Sequence, residues 1–223
     1  MKDLIGPLCV FCGSSNGKDE AYRSAARSVG KALAEANIPL IYGGGTSGLM
    51  GLTAASAVEA GGEVHGIIPR AFLGPGEQGV PTLSDKDEST GRTGQLKGGK
   101  TSVVGGMHER KTLMAKLATG GFVVLPGGFG TFEEAMEMTT WSQLGIHFNR
   151  PVLILSVRGF YAPLKEQILL ACREGFIHEK NLGLIKFVEA EDEADWGALT
   201  VKTFREWEWD ADAGYKGLDW ASS

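Results

Sequence analysis

The chain has 223 residues, 43% apolar and 22% charged, with a net charge of −5; this fits one large α/β domain or two small ones and leaves no basic face for nucleic acid. No apolar run approaches the roughly 20 residues that a membrane-spanning helix needs, and Asp3, Gly6 and Pro7 interrupt the N-terminal stretch where a signal core would lie. A soluble, cytoplasmic protein with neither membrane nor nucleic-acid partners is expected.

Leu8-Cys-Val-Phe11 reads as a first buried strand. It overlaps Cys9-Val-Phe-Cys12, formally a Cys-x-x-Cys pair. In redox proteins that motif opens a helix, and a zinc site needs a second ligand pair that the sequence lacks, so buried structural thiols are the reading. After a loop at 13–17, Tyr22, Ala25, Ala26, Val29, Leu33 and Ala36 recur at helical spacing and predict an amphipathic helix over 19–37. A second strand, 38–42, runs into Gly43-Gly-Gly-Thr-Ser-Gly-Leu-Met-Gly51, and a small-residue helix follows to Ala60, closed by Gly61 and Gly62. A third strand covers 63–68.

Residues 70–100 are rich in Gly, Pro, Asp, Ser and Thr and lack periodicity; a loop of that length in a compact domain is functional or disordered. Then come a fourth strand (101–104), a helix (107–119), a fifth strand (121–125), a glycine-rich turn, a helix over 135–141, a sixth strand (150–155), a helix (161–174), a seventh strand (184–188) and a last helix (192–204). The acidic tail from 206 to 223, with isolated aromatics, is expected to be mobile. Continuous apolar strands alternating with helices predict a parallel sheet covered on both faces. Right-handed crossovers make it an α/β, Rossmann-like, doubly wound sheet of about seven strands, in a single domain over 1–205. Ligands in such sheets bind beyond the carboxyl ends of the strands, where both glycine loops fall.

The stretch Pro126-Gly-Gly-Phe-Gly-Thr-Phe-Glu-Glu134 joins the fifth strand to its helix. Glycine lets a backbone approach an anion closely, and the free N–H groups and positive dipole end of a helix face that anion. Glu133 and Glu134 would sit in the first helical turn. A plainer reading is a capping box between Thr131 and Glu134. Against it stand three glycines, which are entropically costly unless the turn needs them.

Other nucleotide motifs fit less well. Gly43-x-Gly45-x-x-Gly48 matches the dinucleotide fingerprint, but it follows the second strand, and the next strand begins with Glu63 and ends in Pro69-Arg70 instead of ending in a ribose-binding acid. No Lys-Ser/Thr follows Gly48, so the P-loop fails too. The four histidines form no ligand pattern, and neither a metal nor a cofactor is expected. Met107-His-Glu-Arg110-Lys111 places two cations early on a helix at the ligand-binding edge. Ordinary helix surfaces carry such residues, but with Pro126 to Glu134 they bring phosphate-binding cations and an acid to one crevice.

Together these motifs resemble the Lonely Guy (LOG) family of cytokinin riboside 5′-monophosphate phosphoribohydrolases, long mislabelled as lysine decarboxylases. The resemblance runs from about residue 8 to 190 and includes Cys12-Gly-Ser-Ser15, Tyr42-Gly-Gly-Gly45, Gly48-Leu-Met-Gly51 and Thr140-Trp-Ser-Gln-Leu-Gly145. It implies hydrolysis of the bond between an N6-substituted adenine and ribose 5-phosphate, with Arg110 and Glu134 catalytic and plain AMP open as a substrate. It implies that Lys111, Gly127, Gly128, Phe129, Gly130, Thr131, Phe132, Glu133 and Thr139 serve the nucleotide, with Glu88 matching a substrate-contacting acid in the longer loop. It also implies a homodimer with active sites near the interface, and no pyridoxal phosphate site. The competing expectation on the same fold is a non-catalytic nucleotide or molybdenum-cofactor carrier, which does not require Arg110 and Glu134 as a reacting pair.

Overall fold

The structure is a computed structural model that describes residues 5–73, 98–146, 150–191, 194–208 and 214. Among these residues seven parallel strands form one sheet in the order β4-β3-β2-β1-β5-β6-β7. They are β1 (Leu8–Phe11), β2 (Leu40–Tyr42), β3 (Val64–Pro69), β4 (Lys100–Val104), β5 (Gly121–Val124), β6 (Val152–Leu155) and β7 (Ile185–Val188). The chain builds outward from β1 to one edge, returns beside β1 with β5, and builds to the other edge. This doubly wound, Rossmann-like path puts a topological switch point between β1 and β5, where the loops leaving their carboxyl ends diverge and open a crevice.

Among the described residues six α-helices cover the sheet: α1 (Glu20–Glu35), α2 (Gly48–Glu59), α3 (Met107–Leu117), α4 (Phe129–Leu144), α5 (Ala162–Arg173) and α6 (Trp196–Glu206). Strand side chains alternate between two cores, as a period of two requires. Leu8, Val10 and Cys12 join Val29, Leu33, Leu49, Trp196 and Phe204 under α1, α2 and α6. Cys9 and Phe11 join Met114, Phe122 and Met138 under α3, α4 and α5. Phe11 stacks on Phe122 with ring centroids 5.7 Å apart. The two cysteines of the Cys-x-x-Cys pair therefore point to opposite faces of a strand. Both thiols are free and buried, and burial, with the Glu134 charge adding to it, pushes both well above the ordinary thiol range.

The order of elements follows the sequence, and the boundaries shift for local reasons. β2 starts at Leu40 because Asn37 takes a left-handed turn (φ 55°) and Pro39, which has no N–H, can offer the ladder only its carbonyl, to the Leu8 N–H. The helix expected over 135–141 begins six residues earlier, at Phe129, and ends at Gly145 in the left-handed conformation typical of a helix stop. α6 runs to Glu206, and Trp207 packs against Phe204 and under the Lys186 ammonium. Among the described residues no helix is long and apolar enough to cross a membrane.

Candidate active site

Arg110 on α3 and Glu134 on α4 meet at the carboxyl end of the sheet. Arg110 Nη1 donates to Glu134 Oε1 at 2.9 Å, and both residues are buried, at 7% and 8% exposure. The guanidinium is tied down on its other sides by main chain: Nε donates to the Ile67 carbonyl at 3.1 Å and Nη2 to the Gly43 carbonyl at 3.3 Å. One cation thus joins the ends of β2 and β3 to a carboxylate beyond β5. Burial raises the Glu134 carboxyl from its ordinary 4.5 to about 7; the adjacent Arg110 charge pulls it back and Glu133 pushes it further up. A carboxyl raised toward neutral pH by burial and held by a fixed cation suits a group that stabilises positive charge or exchanges a proton.

The same two helices carry a second, outer ion-pair set. Lys111 donates to Glu133 and, at 3.0 Å, to Glu137. Partial burial would depress the Lys111 pKa, but its bonds to Glu133 and Glu137 outweigh that and raise it. Lys111, expected to hold phosphate, is thus engaged by two acids of α4. Because α4 starts at Phe129, Glu133 and Glu134 lie in its second turn and not its first. The capping box does not form: the N-cap is Gly128, which makes no side-chain bond, Thr131 is buried as the third helical residue, and the Glu134 carboxylate is committed to Arg110.

The glycines of the motif divide by role. A Cβ on Gly127 would stand 2.1 Å from Thr131 Oγ1 and 2.9 Å from the Gly13 nitrogen, so a close backbone approach to the β1 loop fixes this position. At Gly128 and Gly130 a Cβ would meet nothing within 4 Å. The start of α4 therefore faces open space. Asp19 and Asp195 cap α1 and α6, whereas α2, α3, α4 and α5 open on Ser47, Gly106, Gly128 and Tyr161 with no side-chain cap bond; in α2 the Met50 N–H donates instead to the Gly13 carbonyl. Phe129 is 92% exposed beside this opening. Phe132 leans on Phe160 and Tyr161. The Thr139 hydroxyl donates to the Ala135 carbonyl of its own helix at 2.8 Å. Glu88 lies outside the described residues. The sequence reading missed Gly43 as a partner of Arg110, although Tyr42-Gly-Gly-Gly45 was visible as a motif, and it missed the Ile67 carbonyl, which no side chain signals.

A family model described as "Possible lysine decarboxylase" matches residues 50–195. The cytokinin riboside 5′-monophosphate phosphoribohydrolase LOG of Oryza sativa subsp. japonica is 43% identical over 172 residues, 77% of this chain and 64% of the rice protein. Its counterpart LOG5 of Arabidopsis thaliana is 46% identical over 177 residues, 79% of this chain and 70% of that protein. Among solved structures, the molybdenum cofactor carrier protein of Chlamydomonas reinhardtii superposes with a TM-score of 0.56 at 21% identity, covering 90% of this chain and 98% of the carrier; at that identity the likeness concerns the fold. The family model spans most of the chain and the plant proteins align through both motifs of the site: the chain belongs to the LOG family, whose model carries the lysine decarboxylase description.

Proposed function

We propose that the chain hydrolyses the N-glycosidic bond of N6-substituted adenosine 5′-monophosphates, giving free base and ribose 5-phosphate. The observation that carries this reading is the buried Arg110–Glu134 pair beside the open, uncapped start of α4. A glycosidic bond of this kind breaks through an oxocarbenium-like transition state, in which positive charge grows on the sugar. A carboxylate held at that place stabilises the transition state more than the ground state. Glu134 takes this role and receives a proton from the attacking water, whose oxygen joins C1′ as the bond to the base breaks; the departing base nitrogen takes a proton from solvent and Glu134 returns its own to solvent, so that one water is consumed. Arg110 keeps the carboxylate in place and faces the ribose phosphate. The 5′-phosphate lies on the N–H groups at the start of α4, where Gly128 and Gly130 leave room for it. Lys111, matched by Glu133 and Glu137, ties α3 to α4 and lends the site positive charge.

Schiff-base chemistry on a lysine substrate would need a neutral amine in the site. Lys111 is held protonated by two carboxylates, which supports the hydrolase over a decarboxylase. By family likeness the working unit is a homodimer. The deciding experiment incubates the protein with isopentenyladenosine 5′-monophosphate, AMP, and isopentenyladenosine, then separates the products by chromatography. Free base from the monophosphates and none from the nucleoside is the expected result. No free base from any of the three, with nucleotide still bound, would replace this reading with a non-catalytic nucleotide carrier.

A further inference from the structure

We propose that Gly43 is a positioning residue: its missing side chain leaves the space that the Arg110 guanidinium occupies, and its carbonyl holds the guanidinium against Glu134. A Cβ at Gly43 would stand 2.0 Å from Arg110 Nη2, 3.3 Å from Arg110 Cζ and 3.2 Å from Met50 Sδ. No real Cβ tolerates the first of these distances, so the guanidinium and a side chain at 43 exclude each other. The Gly43 carbonyl then takes Nη2 at 3.3 Å while the Ile67 carbonyl takes Nε at 3.1 Å. Because the guanidinium is planar with donors in a fixed fork, these two acceptors set its plane and leave Nη1 directed at Glu134.

The neighbouring glycines show why Gly43 differs. Gly44 and Gly48 have φ of 76° and 64°, where side chains are strained, and a Cβ on Gly48 would stand 2.2 Å from the Ser14 backbone. A Cβ on Gly51 would stand 2.1 Å from the Thr46 carbonyl oxygen. Those three glycines serve the path of the chain. Gly43 does not have a left-handed φ, and the atoms nearest its missing Cβ are side-chain atoms of Arg110 and Met50. An alanine there displaces the arginine and leaves the backbone in place. The first glycine of what looks like a dinucleotide fingerprint thus serves the active-site cation.

The inference rests on the hydrolase reading only for its kinetic consequence, so the test pairs kinetics with a readout independent of turnover. Gly43→Ala, Arg110→Ala and the double variant are compared with the unaltered protein by thermal unfolding and by kcat/KM on isopentenyladenosine 5′-monophosphate. The Glu134 carboxyl carbon is titrated by NMR in the unaltered protein and in Gly43→Ala. The charged and titratable groups acting on that carboxyl are Arg110 and Lys111 from α3, Glu133 from α4 and the Cys9 and Cys12 thiols from β1. Only Arg110 is moved by the substitution. Gly43→Ala should unfold within about 2 °C of the unaltered protein and lose about 100-fold in kcat/KM, the scale of a misplaced catalytic group. Its Glu134 should titrate at higher pH, because the guanidinium that lowers it has moved away. Adding Gly43→Ala to Arg110→Ala should change kcat/KM no further. An unshifted Glu134 titration, an equal further loss in the Arg110→Ala background, or a variant that does not fold would each overturn the proposal. If the unaltered protein releases no base, the hydrolase reading fails alone, and the titration still decides the role of Gly43.

Discussion

Glu134 is asked to be an anion in a place that disfavours anions. Burial lifts its carboxyl to about 7, and Arg110 only partly offsets the lift. A carboxyl with a raised folded-state pKa stabilises the fold fully below its ordinary value of 4.5, and that contribution is lost as pH rises through about 7. Stability and activity therefore move in opposite directions across this window, since the carboxylate that helps the oxocarbenium forms as the fold loses that contribution. The expected kcat/KM profile rises with pH through a limb near 7. Glu134→Gln keeps the shape and a hydrogen-bonding oxygen for Arg110 but cannot ionise. Its turnover should fall by at least about 100-fold, its nucleotide binding should persist, and the limb near 7 should vanish from whatever activity remains. Near-normal turnover, or an unchanged limb, would remove Glu134 from the reaction. The residue types of the pair and their shared sheet edge were legible in the motifs, but the choice of Arg110 over Lys111 and of Glu134 over Glu133 came from the family resemblance. The anchors of Arg110 were not legible, because a carbonyl such as that of Ile67 carries no residue identity and the glycine at 43 is selected by a side chain 67 positions away.

At the scale of elements, the paired helices α1 and α2 show what apolar periodicity can and cannot disclose. The spacing of Ala25, Ala26, Val29 and Leu33 marks the buried face of α1, and all four are fully buried. Gly30 lies on the same side and adds nothing to an apolar pattern, yet it sets how closely the helices cross: a Cβ there would stand 2.1 Å from the Thr53 carbonyl oxygen and 3.2 Å from the Ala57 nitrogen. These are backbone atoms inside a helix and cannot swing aside, in contrast to Arg110 at Gly43. Gly30→Ala gains about 1 kcal/mol of helix propensity, but overpacking against a fixed backbone costs about 1–3 kcal/mol. The net effect should be a melting temperature lower by a few degrees, with kcat unchanged because the crossing is on the sheet face away from Arg110. A melting temperature equal to or above that of the unaltered protein would show that the helices separate at no cost. The early start of α4 was hidden for a related reason. Gly128 and Gly130 are weak helix formers, so the sequence reads as loop up to Glu134. The packing of Gly127 against Thr131 and the β1 loop holds the first turn in place.

At the scale of the whole molecule, the parallel, doubly wound sheet and a binding edge at its strand carboxyl ends follow from the alternation of apolar strands with helices, whereas the strand order and the switch point between β1 and β5 come from the structure alone. Apolar patterning says less about surfaces that meet another copy, because a residue buried only in an assembly looks the same in sequence as one buried in the fold. The structure separates the two cases. α5 lies over the second core through Leu164 and Ile168 but has no fully buried residue, and Leu170 on α5 and Phe176 just beyond it are 41% and 87% exposed. Phe129, at the mouth of the site, is 92% exposed. Large apolar side chains left this open on a folded domain are suited to a protein interface; Phe129 lies at the carboxyl edge with the active site, and Phe176, beyond the end of α5, lies toward the opposite edge, so a homodimer near the active site would use Phe129 and one built on α5 would use Leu170 and Phe176. A stable interface of ordinary size buries about 800 Å² per partner, more than these three side chains supply, so it must also take in polar helix surface around them. Light scattering on the purified protein should give a mass twice the 23.7 kDa of the chain, at the concentrations where base release is assayed. Phe176→Glu and Phe129→Glu should each shift the population toward monomer if their rings are in the interface, and the variant that does so should lose turnover together with the dimer. A 23.7 kDa particle that turns over substrate at full rate would end the dimer proposal; a dimer indifferent to both substitutions would keep the assembly and move its interface elsewhere.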